Sequence, residues 1–152
     1  MQENDFYDDL SGVLERSWRL LKQAINDSTS PARTPVLISV SADGLAQGRT
    51  VVLRTFNRQQ RQVKFYTDAR SAKVAQLRTQ PACTLVAYQP NPMIQLRLKT
   101  KAVVNHNNEI TRESWAVMPG PNRCNYLTDP IPGSKSVKAT DGRPVINAKK
   151  AP

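Results

Sequence analysis

The sequence predicts a mainly β fold with flanking helices, in which an antiparallel sheet closes into a small barrel. Three observations predict it. Short β-branched runs follow one another through hairpin-length links. One amphipathic helix precedes them and a short one interrupts them. The order of helix, three strands, short helix and two strands disfavours a parallel doubly wound sheet, and the six scattered glycines form neither a GxGxxG nor a Walker lysine loop, so any phosphate site must be built another way.

From Leu10 to Ile25 the apolar positions Leu10, Val13, Leu14, Trp18, Leu21 and Ile25 recur at three and four, the buried stripe of a helix. Trp18 falls on that stripe and reads as core. Ser28, Ser30 and Pro31 end the helix. Pro35 to Val40 is a short strand, Ala42-Asp43-Gly44 a turn, and Gly48 to Phe56 the returning strand of a hairpin. Asn57 to Arg61 separates this from a strand over Val63 to Thr67, and Ser71 to Arg78 is helical until Pro81. Thr84 to Tyr88 and Ile94 to Val104 are the last strands, joined by Pro90-Asn91-Pro92. A short helix follows from Glu109 to Val117. Beyond it Pro119, Gly120, Pro121, Pro130, Pro132, Gly133 and Pro144 predict an irregular tail with no closing strand.

A length of 152 residues predicts one domain: residues 1–32 the N-terminal helix, 33–104 the barrel core, and 105–152 a helix and irregular tail. Lysine and arginine number 22 against 12 acidic residues, a formal charge of +10 that favours anionic ligands. Cys83 and Cys124 form no CxxC pair and His106 is the single histidine, too few ligands for a zinc site. The acidic, polar start lacks the pattern of a signal peptide and no apolar run approaches the ~20 residues of a membrane span, so a cytoplasmic location is expected.

The stretch Phe65-Tyr66-Thr67-Asp68-Ala69-Arg70-Ser71-Ala72-Lys73 takes a strand ending in hydroxyl side chains into the start of a helix. Helix-start amides carry partial positive charge, and Ser71 and Lys73 add a hydroxyl and a cation in the first turn, which suits a phosphate. An ordinary helix start with an exposed lysine reads equally well. Arg49 and Arg54 bracket Arg49-Thr50-Val51-Val52-Leu53-Arg54, where strict pleating sends them to opposite faces. Both reach one ligand only if the strand is bulged or the ligand wraps its end; otherwise they are solvated arginines flanking a core strand.

Taken together, Arg49 to Arg54, Phe65 to Asp68, Ser71 to Lys73, Gln76-Leu77, and Gln95 ahead of Lys101-Ala102 resemble, in order and spacing, the consecutive flavin mononucleotide (FMN)-binding elements of the pyridoxamine 5′-phosphate oxidase-like flavoproteins. The resemblance covers residues 33–104 and implies an FMN-binding split barrel. It implies that Arg49, Ser71 and Lys73 grip the FMN phosphate. Val51, Val52, Leu53 and Arg54, with Tyr66 and Thr67, would line the ribityl chain and ring, and Gln95 would hydrogen-bond the flavin. It also implies a homodimer with FMN at the subunit interface, and an oxidoreductase whose ring performs the redox step, so that no acid–base pair is required. Ala72 stands where the family often has a second basic residue. Of the elements that hold the substrate phosphate in pyridoxamine phosphate oxidases proper, Trp115 and Arg123 stand in loosely similar places, with Arg54 a third substrate-contacting candidate, and nothing matches the C-terminal element. The substrate and catalytic residues stay open. The alternatives are a non-catalytic module for flavin or haem and a basic nucleic-acid-binding barrel; sparse exposed aromatics and dispersed charge weigh against the last.

Overall fold

The computed structural model describes residues 8–140 and 142. They form two compact units. The first runs to Tyr66 and resumes over Ala82–Lys101; the second comprises Thr67–Pro81 and the chain from Ala102 onward.

The first unit opens with helix α1, Leu10–Asn26. Asp9 caps it, its carboxylate accepting the Ser11 and Gly12 amides at 2.9 and 2.8 Å. At the other end the Arg33 guanidinium donates to the carbonyls of Ala24 and Ile25 at 3.2 and 2.6 Å, satisfying orphan acceptors with a cation where the helix dipole favours one. Strands β1 (Val36–Val40) and β2 (Ala46–Thr50) form the expected antiparallel hairpin, with Gly44 supplying the positive φ of its turn. Strand β3 (Leu53–Asn57) pairs with β4 (Gln62–Phe65), and β5 (Ala82–Gln89) with β6 (Ile94–Lys101). The result is a four-stranded sheet, ordered β2-β1-β5-β6, and a two-stranded sheet of β3 and β4, all pairs antiparallel. Leu20, Leu21 and Ala24 of α1 pack with Ala32, Leu53, Ala87 and Leu96, and Trp18 joins this core by stacking on Phe56 at 5.7 Å between centroids.

Several strand boundaries differ from expectation: β4 ends at Phe65 rather than Thr67, β5 begins at Ala82 rather than Thr84, and two larger differences share one reason. Gly48 to Phe56 is not a single strand: it breaks at Val51-Val52, and its halves belong to different sheets. Thr50 pairs with Val36, the first residue of β1. The Val51 amide still reaches the Pro35 carbonyl at 3.0 Å, but Pro35 has no N–H to donate back, so the ladder ends and the chain leaves for β4. Strand β6 likewise stops at Lys101 rather than Val104. The Ala102 amide bonds the carbonyl of Pro81 at 2.8 Å, and that proline again returns nothing.

In the second unit α2 spans Ala72–Thr79 with Val74 and Leu77 buried, as their spacing predicts. Helix α3, Glu109–Ala116, starts in a capping box: the Thr111 amide donates to Asn108 Oδ1 at 3.1 Å, and the Asn108 amide to Thr111 Oγ1 at 3.0 Å. The following segment is more ordered than its prolines suggest. Helix α4 (Gly120–Arg123) runs into a 3-10 turn over Cys124–Tyr126, and Pro121 sits in the first turn of α4, where a missing N–H costs nothing. The expected absence of a closing strand at the end of the chain concerns residues outside the described ones. Among the described residues no helix is long and apolar enough to cross a membrane.

Candidate functional site

The turn before α2 gathers two of the expected phosphate ligands, Ser71 and Lys73, beside Thr67, which was expected to line the ribityl chain and ring. Lys73 Nζ donates to Thr67 Oγ1 at 3.0 Å, and Thr67 Oγ1 lies 3.2 Å from Ser71 Oγ. Ser71 is buried at the N-cap position, yet its hydroxyl does not cap the helix; it donates instead to the Asp68 carbonyl at 2.7 Å. The first-turn amides therefore keep their outward dipole, and two hydroxyls and an ammonium converge beside them. A phosphate dianion needs such donors, and helix start, hydroxyls and cation are all of the matching sign.

Asp68, which closes the Phe65 to Asp68 element but was given no role of its own, organises this turn. Its carboxylate accepts the Arg70 amide at 2.8 Å and the Arg70 guanidinium at 2.7 Å from Nη2 and 3.1 Å from Nε. The Arg70 side-chain bond, foremost, holds the carboxyl below the usual carboxylate range, with further help from the Arg70 amide and the charges of Arg70 and Lys73 against a smaller opposing effect of burial. Arg70 also donates to the Thr128 carbonyl at 2.7 Å and the Asp129 carbonyl at 3.4 Å. Nothing in the sequence marks these partners, which are backbone atoms almost sixty residues away.

In the first unit, the break after β2 and a bulge in β3 settle how Arg49 and Arg54 are presented. Leu53 pairs with Phe65 and Thr55 with Lys64, which leaves Arg54 as the extra residue on its strand. A bulge re-aims its side chain, and the guanidinium carbon sits 5.8 Å from the centroid of the Tyr66 ring. Arg49 is half-buried on β2 and hydrogen-bonds Ser39 Oγ; burial pushes its guanidinium below the ordinary value. Val51 and Leu53 are 7% and 1% exposed, with Leu53 in the main core, so any ligand contact they make is through backbone atoms. Val52 and Arg54 are half-buried. Gln95 is exposed on β6 opposite Tyr88, on the outward face of the four-stranded sheet.

The two remaining substrate candidates meet in the second unit. Arg123 lies 5.4 Å from the Trp115 ring centroid, and Trp115 packs edge-on against Tyr126 at 6.2 Å. Arg123 also donates to the carbonyls of Met118 and Ala116 at 3.0 and 3.3 Å, satisfying acceptors at and just beyond the end of α3. Tyr126 was not singled out in the sequence, where an isolated tyrosine in a proline-rich stretch carries no periodic signal.

Comparison with known proteins gives the chain its family. The family model for the pyridoxamine 5′-phosphate oxidase FMN-binding domain matches residues 15–106. No curated protein matches the chain in sequence. A pyridoxamine 5′-phosphate oxidase-related FMN-binding protein from Nostoc punctiforme PCC 73102 superimposes with a TM-score of 0.65 at 23% identity, covering 93% of this chain and 72% of that one. PhzG from Burkholderia lata 383, solved with tetrahydrophenazine-1-carboxylic acid, gives a TM-score of 0.65 at 17% identity. That match covers 83% of this chain, which spans 61% of PhzG. With more than half its length matched and the antiparallel sheets in place, the chain belongs to the pyridoxamine 5′-phosphate oxidase FMN-binding domain family, with the split-barrel fold and FMN as its cofactor.

Proposed function

We propose that the chain is an FMN-dependent oxidoreductase acting as a homodimer with its flavin at the subunit interface. The convergence of Thr67, Ser71 and Lys73 at the start of α2 carries the reading. These three hold the FMN phosphate, with Arg49 as a further cation. Arg54, Tyr66 and the backbone of Val51–Leu53 flank the ribityl chain and ring, Val52 contributes its half-buried side chain, and Gln95 hydrogen-bonds the flavin. Bound FMN supplies the two-electron redox step, which leaves the protein to place the ring, exclude water and admit a substrate.

The outward face of the four-stranded sheet supports the dimer. Leu37, Ser39, Leu85, Ala87 and Leu96 point inward, so Val36, Ile38, Val40, Val86 and Tyr88 alternate onto the opposite face. Val36 and Val40 are each 37% exposed and Tyr88 50%, and Gln95 lies on the same face. A second subunit covering this surface buries the apolar side chains and encloses the ring beside Gln95. Trp115 and Tyr126 offer ring faces to a substrate that carries a ring, and Arg123 steadies the Trp115 face from beside it.

The test is the absorbance spectrum of the purified protein, with added FMN, before and after anaerobic reduction and readmission of oxygen. Flavin bands that bleach and return at a rate above that of free FMN support the enzyme. Bands that stay unchanged identify a binding module, and the absence of bound flavin removes the proposal.

A further inference from the structure

Arg70 lies outside the phosphate cradle, yet its guanidinium bonds both the cradle's own turn and a distant stretch of backbone. Its guanidinium faces two ways. On one side it closes on both oxygens of Asp68, three residues before Ser71. On the other it holds the carbonyls of Thr128 and Asp129 and touches Thr128 Oγ1 at 3.3 Å. Thr128 and Asp129 are the base of a closed loop, because the Asp129 amide donates to the Gly142 carbonyl at 3.3 Å. Gly142 has a φ of +67°, and a Cβ there would come within 2.8 Å of Pro130, so the closure suits glycine. Within that loop Lys135 and Lys138 are exposed.

We infer that Arg70 is a positioning residue that couples occupancy of the Thr67–Ser71–Lys73 cradle to closure of the loop from Asp129 to Gly142. The inference rests on the proposed placement of the FMN phosphate at the start of α2. Two physical steps connect the ends. First, Arg70 neutralises Asp68, a carboxylate in the cradle's own turn; without it, the anion competes with the ligand for the Lys73 ammonium. Second, a phosphate bound by Ser71 and Lys73 fixes the turn, and the turn carries the guanidinium that holds the loop base. A ligand that favours the fixed turn therefore favours the closed loop, and a closed loop must strengthen phosphate binding by the same factor. The same arm carries Tyr126, two residues before Thr128, so loop closure also steadies the aromatic face built with Trp115.

Trypsin cleavage after Lys135 and Lys138 in the full-length protein, followed by mass spectrometry, reads the loop directly, because cleavage requires local opening. FMN is expected to slow it about fivefold or more in the wild type, whereas riboflavin, with the ring and no phosphate, leaves it unchanged. In Arg70→Met the protection by FMN should vanish and FMN affinity should fall by the same factor with riboflavin affinity retained; Arg70→Lys should recover part of both. Cleavage indifferent to FMN in the wild type, or protection that persists in Arg70→Met, overturns the coupling. Should Arg70→Met fail to fold, the contrast between FMN and riboflavin in the wild type decides alone. If Lys73→Ala weakens FMN and riboflavin equally, the phosphate lies elsewhere and both readings fall. If Lys73→Ala discriminates between them while cleavage does not respond, only the coupling fails.

Discussion

Lys73 Nζ is held 3.0 Å from Thr67 Oγ1, so the ammonium is fixed over the turn that precedes its own helix instead of ranging through solvent. Much of the side-chain entropy that a lysine loses on gripping an anion is thus lost on folding, before any ligand arrives. Lys73→Ala should weaken FMN by about 1.5–3 kcal/mol, roughly ten- to a hundredfold, because one charge-assisted contact to a dianion disappears. Riboflavin should be nearly unaffected. Titrating both ligands into wild type and variant checks this, and Ala72, which supplies no second cation, makes the effect of Lys73 larger.

Asp68 gives the turn a pH dependence of definite sign. Its folded-state pKa is depressed, chiefly by the Arg70 side chain, so its contribution to stability is complete above the unfolded-state value of about 3.9 and is lost as pH falls through the lower folded-state value. Asp68→Asn mimics the protonated state. Urea midpoints should therefore differ between wild type and Asp68→Asn at neutral pH and converge in strong acid. A difference that survives acidification would place the effect outside the Asp68 charge.

Leu53 tests the division between side-chain and backbone roles in the segment from Val51 to Arg54. It is 1% exposed in the main core, and truncation to alanine should cost about 2–5 kcal/mol in urea unfolding. The folded fraction should still show a flavin spectrum, because only main-chain atoms of Leu53 face the ligand in the proposed site. A cost below about 1 kcal/mol is the range of exposed positions and would contradict its core placement.

These cases show where the sequence was legible. The span of α1, the Gly44 hairpin and the start of α2 are local signals, each written in a few adjacent residues, and the structure reproduces them; the expected stripe of α1 is buried only toward its end, at Leu20, Leu21 and Ala24, while Leu10, Val13 and Leu14 are exposed. The break at Val51-Val52 left no such trace, because a β-branched run looks continuous and its cause is Pro35 on the neighbouring strand. The bulge at Arg54 carries no glycine to announce it. Arg70 reads as one more surface cation, and its role depends on main-chain acceptors at Thr128 and Asp129 that no pairwise spacing reveals.

Pyridoxamine 5′-phosphate should be a poor substrate. Arg123 stands loosely where the substrate-phosphate patch is expected, but its guanidinium already serves the carbonyls of Met118 and Ala116 and stacks by Trp115. Diverting it would leave those acceptors without their donor. Steady-state assays under oxygen should show turnover well below about 1 per second, the low end of typical enzyme rates. A rate at or above that value contradicts the assignment.

The proposed dimer makes the outward sheet face the most demanding place for a charge. Val36 is 37% exposed in the single chain and lies between Thr50 on one side and Val86 on the other, with Arg97 across from Val86 on the same face. In a monomer, Val36→Asp puts a carboxylate on a solvated surface and should change stability little, within about 0.5 kcal/mol. In a dimer it removes apolar burial and places an unpaired charge in the interface of both subunits, which costs several kcal/mol unless the charge finds a partner. Wild type should therefore sediment as a dimer with FMN bound, and Val36→Asp should shift toward monomer and lose flavin together with the second subunit. The two losses are linked because a site shared between subunits cannot outlast their separation. Sedimentation of wild type as a monomer that retains FMN would remove the shared site, and a Val36→Asp dimer of unchanged affinity would move the interface to another face.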